Sequence, residues 1–313
     1  MNGVVNKLLV IGNSYIEMIL NVASLPASDT MQIEDRYDLR PGGKACNAAV
    51  VASRLGLESV ICSTLGSDGN GSRLMSFYKN NGIDTRFVRS DRDKKTGLSI
   101  LIHETDFESS RRILYPGANN VMSYSQLEDA FSSCPDGAYV SLDMPFEMII
   151  KASEICYRND IPLFVEASPA RSGYRLDELV NVEAFIMNMV EAQIFSGMRI
   201  YNTEFCLRAC MKIAQKVKAK YYIVRMGDKG VFIYDGKYHN VVISGLLEED
   251  AVCSTFVDVE SATFAASYLL TSDVSRAALL SSVAGYMVRT DENLKIPTKD
   301  QIQKFCVKNK IKF

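Results

Sequence analysis

What the 313-residue sequence lacks narrows its function first. No apolar run reaches the roughly eighteen residues that cross a bilayer. "KLLVIG" near the start is too short for the apolar core of a signal peptide and reads as a first strand. A formal charge of -2 gives no general attraction to nucleic acid or anionic lipid, so neither is expected as a partner. The eight cysteines form no CxxC pair, and Cys206 and Cys210, four apart on an expected helix, have no Cys or His neighbours to complete a metal site. Such cysteines fill core space, and a reducing cytoplasm is the expected compartment. No repeat or low-complexity tract is visible. With 47% hydrophobic and 23% charged residues, what remains has the balance of a soluble globular protein of one large core or two modest ones.

Strand-like runs alternate with helical patterns. "KLLVIG" (7–12), a helix over 47–55, "SVICSTLG" (59–66) and a helix over 71–80 come first. "GAYVSLD" (137–143), a helix over 147–158, "IPLFVEAS" (161–168), "EAFIMN" (183–188), a helix over 203–217 and "KYYIVRMG" (220–227) follow. This alternation predicts a doubly wound, mostly parallel α/β sheet in a single domain over 1–313. Two stretches, 29–43 and 96–119, are hairpin-like and cannot be helical crossovers. They predict a small β-sheet lid, discontinuous in sequence, standing off the main sheet.

"PGGKACNAAVVASRLG" (41–56) is the most informative segment. Gly42, Gly43, Lys44 and the polar Asn47 precede an Ala-rich helix that ends in a glycine. Paired glycines let backbone approach a ligand, and helix-start amides attract polar or anionic groups; a plain turn into a packed helix would look the same. The segment resembles the first signature of the ribokinase family, the PfkB carbohydrate kinases. Other segments agree in order and distance. They are "VIGNSYIEMILNVASLP" (10–26), "TLGSDGNGSRLMSFYKNNGIDTRFV" (64–88), "YPGANNVMS" (115–123), "IMNMVEAQIFSG" (186–197), "VRMGDKGVFIYDG" (224–236) and "IPTKDQIQKF" (296–305). The resemblance implies a ribokinase-like fold and transfer of the ATP γ-phosphoryl to an alcohol group of a sugar or nucleoside. By the same resemblance, Glu17, Gly42, Gly43, Lys44 and Asn47 bind that substrate. Glu17 stands where the family has a shorter aspartate. Asn188 and Glu191 position phosphates and hydrated Mg²⁺, although Asn and Glu also suit an ordinary helix start. Gly227 and Gly230 flank the nucleotide. Arg225 replaces a threonine there and either pairs with a phosphate or lies on the surface.

"TFVDVESATFAASYLL" (255–270) departs from the family. It reads as a strand or loop entering a buried helix near Ser261, where the second signature, roughly "DTxGAGDxF", belongs. The ungapped register places the general base at Ala262 and leaves no glycine in the turn. Asp258 and Glu260 are the candidate replacements; alternatively Asp258 or Ser261 caps the helix. A lost base costs about 10²–10⁴ in rate and a lost anion cradle roughly 10²–10³, together on the order of 5–9 kcal/mol if they add. The stretches 241–258 and 289–297 also differ from the family where it holds a monovalent cation, which puts that cofactor in doubt. Two readings follow: an ATP- and Mg²⁺-dependent kinase with a diverged loop, or a pseudokinase that binds a sugar-like or nucleotide ligand. A homodimer through the lid, using Ile100, Ile102, Phe107, Ile113 and Leu114, is compatible with both.

Overall fold

The computed structural model describes residues 6–26, 37–107, 109–246, 255–291 and 296–312. Nine strands form the main sheet: β1 (Lys7–Ile11), β4 (Glu58–Gly66), β5 (Asp84–Asp91), β8 (Gly137–Ser141), β9 (Leu163–Glu166), β10 (Val182–Asn188), β11 (Ala219–Arg225), β12 (Val231–Tyr234) and β13 (His239–Val242). Their spatial order is β13-β12-β11-β10-β9-β8-β1-β4-β5. Every pairing from β5 to β11 is parallel, and β12 and β13 add an antiparallel edge. The chain leaves β1 in one direction to β4 and β5 and returns to build β8 to β11 on the other side. The β1/β8 boundary is therefore a topological switch point, where a crevice opens beyond the carboxyl ends of the strands.

Buried strand residues alternate between two cores, as the period of two requires. Leu8 and Val10 face α1 (Lys44–Arg54), α2 (Gly69–Asn80), α7 (Phe256–Thr271), α8 (Val274–Thr290) and α9 (Lys299–Lys308). Leu9 and Ile11 face α3 (Tyr124–Phe131), α4 (Phe146–Arg158), α5 (Met189–Ser196) and α6 (Thr203–Ile213). Cys206 and Cys210 are buried in the second core, the space-filling role expected of them. No helix among the described residues is long and apolar enough to cross a membrane.

A second sheet of four strands, in the order β3-β2-β6-β7, stands apart from the first. It comprises β2 (Tyr15–Val22), β3 (Asp38–Gly42), β6 (Gly97–Glu104) and β7 (Ser109–Tyr115). The hairpin-like stretches supply β3, β6 and β7, but the sheet's inner strand β2 comes from the 10–26 segment, which was not assigned to the lid. Residues 29–36 of the expected lid lie outside the described residues. Asp68 pins the sheet to the core. Its carboxylate caps α2 through Gly71 N (2.8 Å) and accepts from Thr96 N (2.9 Å) and Thr96 Oγ1 (2.7 Å), one residue before β6. Asn119 does the same at the end of β7 by exchanging two hydrogen bonds of 2.9 Å with the Ser14 backbone.

Candidate active site

The polar residues of the crevice sit at the carboxyl ends of neighbouring parallel strands: Asn13 after β1, Asp143 after β8, Glu166 ending β9, Asn188 ending β10 and Arg225 ending β11. At the β1 end, α1 opens on Gly43, whose φ of 96° favours glycine and whose added Cβ would meet Asn13 O at 2.9 Å. That turn aims Lys44 and Asn47 across the crevice at the head of α7. Lys44 Nζ contacts Asp258 Oδ1 (2.8 Å) and Glu166 Oε1 (2.9 Å), while Asn47 Nδ2 donates to Asp258 Oδ2 (2.8 Å). Tyr139 Oη donates to the other oxygen of Glu166 at 2.8 Å. Burial would lower the Lys44 ammonium, but Asp258 and Glu166 outweigh it and hold the group protonated well above the usual lysine range. Burial, with Asp258 beside it, raises the Glu166 carboxyl against the pull of Lys44 and Arg225. Lys44 is raised because two carboxylates share its ammonium, and Glu166 because burial and the second carboxylate outweigh its share of that charge.

The lid closes the other side of this cluster. Glu17 on β2 is buried, and a Cβ at Gly42 would lie 2.6 Å from its Cδ, so only glycine leaves room for this longer acid. Arg40 Nε meets Glu17 Oε2 at 3.2 Å, Arg112 Nη1 approaches Glu17 Oε1 at 3.7 Å, and Arg40 Nη2 reaches Thr255 Oγ1 at 3.4 Å. Glu17, Gly42, Gly43, Lys44, Asn47 and Asp258 thus converge. All but Asp258 were grouped by their resemblance to substrate-binding positions.

Glu260 does not join them. It faces a cavity of about 250 Å³ lined by Asn188, Arg225, Gly227, Gly230, Phe256 and Arg289, among others. There it pairs with Arg225 Nη1 (3.1 Å) and approaches Arg289 Nη2 (4.0 Å). Arg225 is not a surface residue: it is 6% exposed, and Nη1 also donates to Val257 O at 2.6 Å. Asn188 and Glu191 form a capping box on α5, Asn188 Oδ1 accepting from Glu191 N (2.9 Å) and Glu191 Oε2 from Asn188 N (2.8 Å). This is the ordinary helix start allowed for above, and it leaves Glu191 Oε1 as the acid's remaining oxygen. Among the described residues no group of three His, Cys, Asp or Glu side chains is arranged to hold a metal. A hydrated Mg²⁺ fits such a set all the same, because it needs one or two carboxylates together with substrate phosphates.

The helix containing the altered signature begins earlier than expected. α7 starts at Phe256, so Asp258 and Glu260 lie on its opening turns and not on a strand or loop. Thr255, not Asp258 or Ser261, occupies the cap position, and Ser261 Oγ bonds back to Val257 O at 3.2 Å. Ala262 is fully buried in the core against α1 and α8, away from the crevice. An ungapped comparison of sequence hides this, because helical advance puts residues four apart on one face and residues two apart on nearly opposite faces. Asp143, Glu166 and Arg40 were missed. Glu166 and Asp143 each close an apolar strand run with a lone acid, and the strand-end rule for open sheets would have found them. Arg40 carries no such signal. The monovalent-cation stretches fall partly on 247–254 and 292–295, outside the described residues.

A model of the pfkB family of carbohydrate kinases matches residues 5–300. The ribokinase of Haemophilus influenzae is 25% identical over 232 residues, 72% of this chain and 74% of that protein. The ribokinase of Lactococcus lactis is 27% identical over 237 residues, 74% of this chain and 73% of the relative. Arabidopsis thaliana ribokinase, solved with ribose and ATP, superposes with a TM-score of 0.84 at 18% identity over 96% of this chain and 98% of that one. A nucleoside kinase of Methanocaldococcus jannaschii gives 0.77 at 18% identity over 97% and 98%.

Proposed function

The chain belongs to the pfkB family of carbohydrate kinases, and on that basis we propose that it is an ATP-dependent phosphotransferase acting on an alcohol group of a sugar or nucleoside. The observation that carries the reading is Asp258, held on one oxygen by Lys44 and on the other by Asn47 at the head of α7. Asn47 and Glu17 grip acceptor hydroxyls, and the lid keeps water from the crevice. Asp258 accepts the proton of the attacking hydroxyl as its oxygen bonds to the γ-phosphorus and the bond from phosphorus to the ADP oxygen breaks. Lys44 and Glu166 act as positioning residues that fix the Asp258 carboxylate. Glu191 would help hold magnesium beside the nucleotide, where the ion would supply charge neutralisation. The relatives crystallised with ribose and ATP or named for nucleosides support this acceptor class. The exposed apolar residues Phe107, Ile113 and Leu114 support a homodimer through the lid, and the free thiols support a cytoplasmic location.

The test is ADP release, assayed with Mg²⁺ across a panel of sugars and nucleosides. Acceptor-dependent release that Asp258→Asn abolishes supports the reading; release that survives this change sinks Asp258 as the base. Two observations favour a second reading, a ligand-binding pseudokinase: the ten residues ahead of α7, 246–255, contain no glycine, and an ion pair occupies the cavity wall. Calorimetric binding of ATP or a sugar with no release from any acceptor decides for it.

A further inference from the structure

We propose that Arg225 does the work of the missing glycine-rich turn: its guanidinium is the anion-binding group that receives the phosphoryl in flight. This rests on the phosphotransferase reading and assigns the group that stabilises its transition state. Arg225 ends β11 directly beside Asn188 in the β10/β11 register and lines the cavity with it. Nη1 is fully engaged by Val257 O and Glu260, and Nε points at Met187 O at 3.5 Å. Nη2 is buried and has no hydrogen-bond partner among the described residues. A buried guanidinium N–H left unpaired is costly, and such groups persist where a ligand satisfies them. The vacant donor stands at the start of α7, a sixteen-residue helix whose cap residue Thr255 accepts no bond from the first-turn amides and whose first turn carries the positive end of the helix dipole.

The surroundings hold this arrangement in place. Glu260 orients the guanidinium, and Gly285 on α8 makes room for Glu260, since a Cβ there would overlap its Cγ and Oε1. Arg225 also lies between the two halves of the site, within electrostatic reach of Glu191 on the nucleotide side and Glu166 on the acceptor side. That is where the phosphoryl must pass: the acceptor oxygen bonds to phosphorus, the bond to ADP breaks, the proton goes to Asp258, and the spreading charge meets Nη2. A guanidinium replaces a backbone cradle chemically because its planar fork matches phosphate oxygens.

The experiment measures Mg·ADP affinity by calorimetry with and without fluoroaluminate, an anion that mimics the phosphoryl in transit. It uses the wild-type chain, Arg225→Lys and Arg225→Gln, with thermal melting to confirm each is folded. Fluoroaluminate should tighten ADP binding at least tenfold in the wild type. It should do so less than twofold in Arg225→Gln and to an intermediate extent in Arg225→Lys, which keeps the charge but not the fork. Should Arg225→Gln fail to fold, Arg225→Lys decides: an undiminished gain overturns the proposal. It is also overturned if the wild type shows no gain or Arg225→Gln keeps it. Acceptor-dependent ADP release is assayed on the same wild-type preparation. A fluoroaluminate gain without release counts against the phosphotransferase reading and leaves the Arg225 anion site standing; release with an unchanged gain in Arg225→Gln counts against Arg225 alone.

Discussion

The two halves of the cleft, proposed to hold acceptor and nucleotide, rest on the carboxyl edge of one parallel sheet, yet they use buried charge differently. In the acceptor half the central charges are mutually satisfied: Lys44 has two carboxylates, Asp258 two donors, and Glu166 both Lys44 and Tyr139. In the nucleotide half Arg225 is tied down by Glu260 and two backbone carbonyls but keeps Nη2 in reserve. A saturated cluster fixes geometry before the substrate arrives, which suits a base that must meet one hydroxyl. An unsaturated one holds binding capacity back for a charge that develops later. The contrast also separates the two acids left at the altered signature, Asp258 on the acceptor half and Glu260 on the nucleotide half.

Exchanging those acids tests the contrast most severely. Asp258→Asn should lower turnover by about 10²–10⁴, roughly 3–5 kcal/mol in the barrier, with acceptor KM little changed. Glu260→Gln should weaken nucleotide binding and, by loosening Arg225, lower turnover less than Asp258→Asn does, and steady-state kinetics varying each substrate in turn would separate the two. A comparable collapse of kcat in Glu260→Gln, with Asp258→Asn active, would reverse the assignment. Ala262→Asp asks whether the ungapped register has any functional meaning. Ala262 is enclosed by apolar side chains, so an unpaired carboxylate there should cost about 3–5 kcal/mol in a denaturant melt and rescue no activity.

A smaller effect probes the nucleotide wall. Gly285→Ala should displace Glu260 and cost about 1–3 kcal/mol. Because the added methyl acts through Glu260, a double-mutant cycle with Glu260→Ala should be non-additive. Strict additivity would mean that the two positions do not share that space. The smallest effect is one of pH. Burial, against the lowering by its Ser141 hydrogen bond and Lys44, pushes the Asp143 carboxyl up to about 6. The folded state therefore holds this proton more tightly than the unfolded chain does. The associated stability is complete below the ordinary aspartate value, about 3.9, and is lost as pH rises through about 6. Across that window the wild type should lose stability relative to Asp143→Asn. Melting curves that move in parallel would show that Asp143 keeps an ordinary carboxyl.

Much of the molecule was legible in its sequence, and for local reasons. Strand and helix periodicity, the glycines ahead of α1 and the alternating polarity of the hairpin-like stretches act over a few residues, so the doubly wound sheet, the second sheet and the group Gly42, Gly43, Lys44 and Asn47 could be read in advance. Local signals failed where a role depends on what another segment does. β2 was not assigned to the second sheet because its pairing with β6 is non-local. Arg225 was left between phosphate and surface because its burial is set by α7, reached only thirty residues later in the chain.

The amino-acid order by itself determined the elements, the sheet and the α1 half of the cleft, since propensity, period and backbone freedom are properties of neighbouring residues. Tertiary structure alone decided which acid at 258–262 meets Lys44 and Asn47. Helix α7 begins at Phe256, and its turn of 3.6 residues points Asp258 to Lys44 and Glu260 the other way to Arg225, while Ala262, on the Asp258 face but one turn farther along, is buried in the core. Side chains only two residues apart thus part company because each meets a different partner that folding brings from far along the chain.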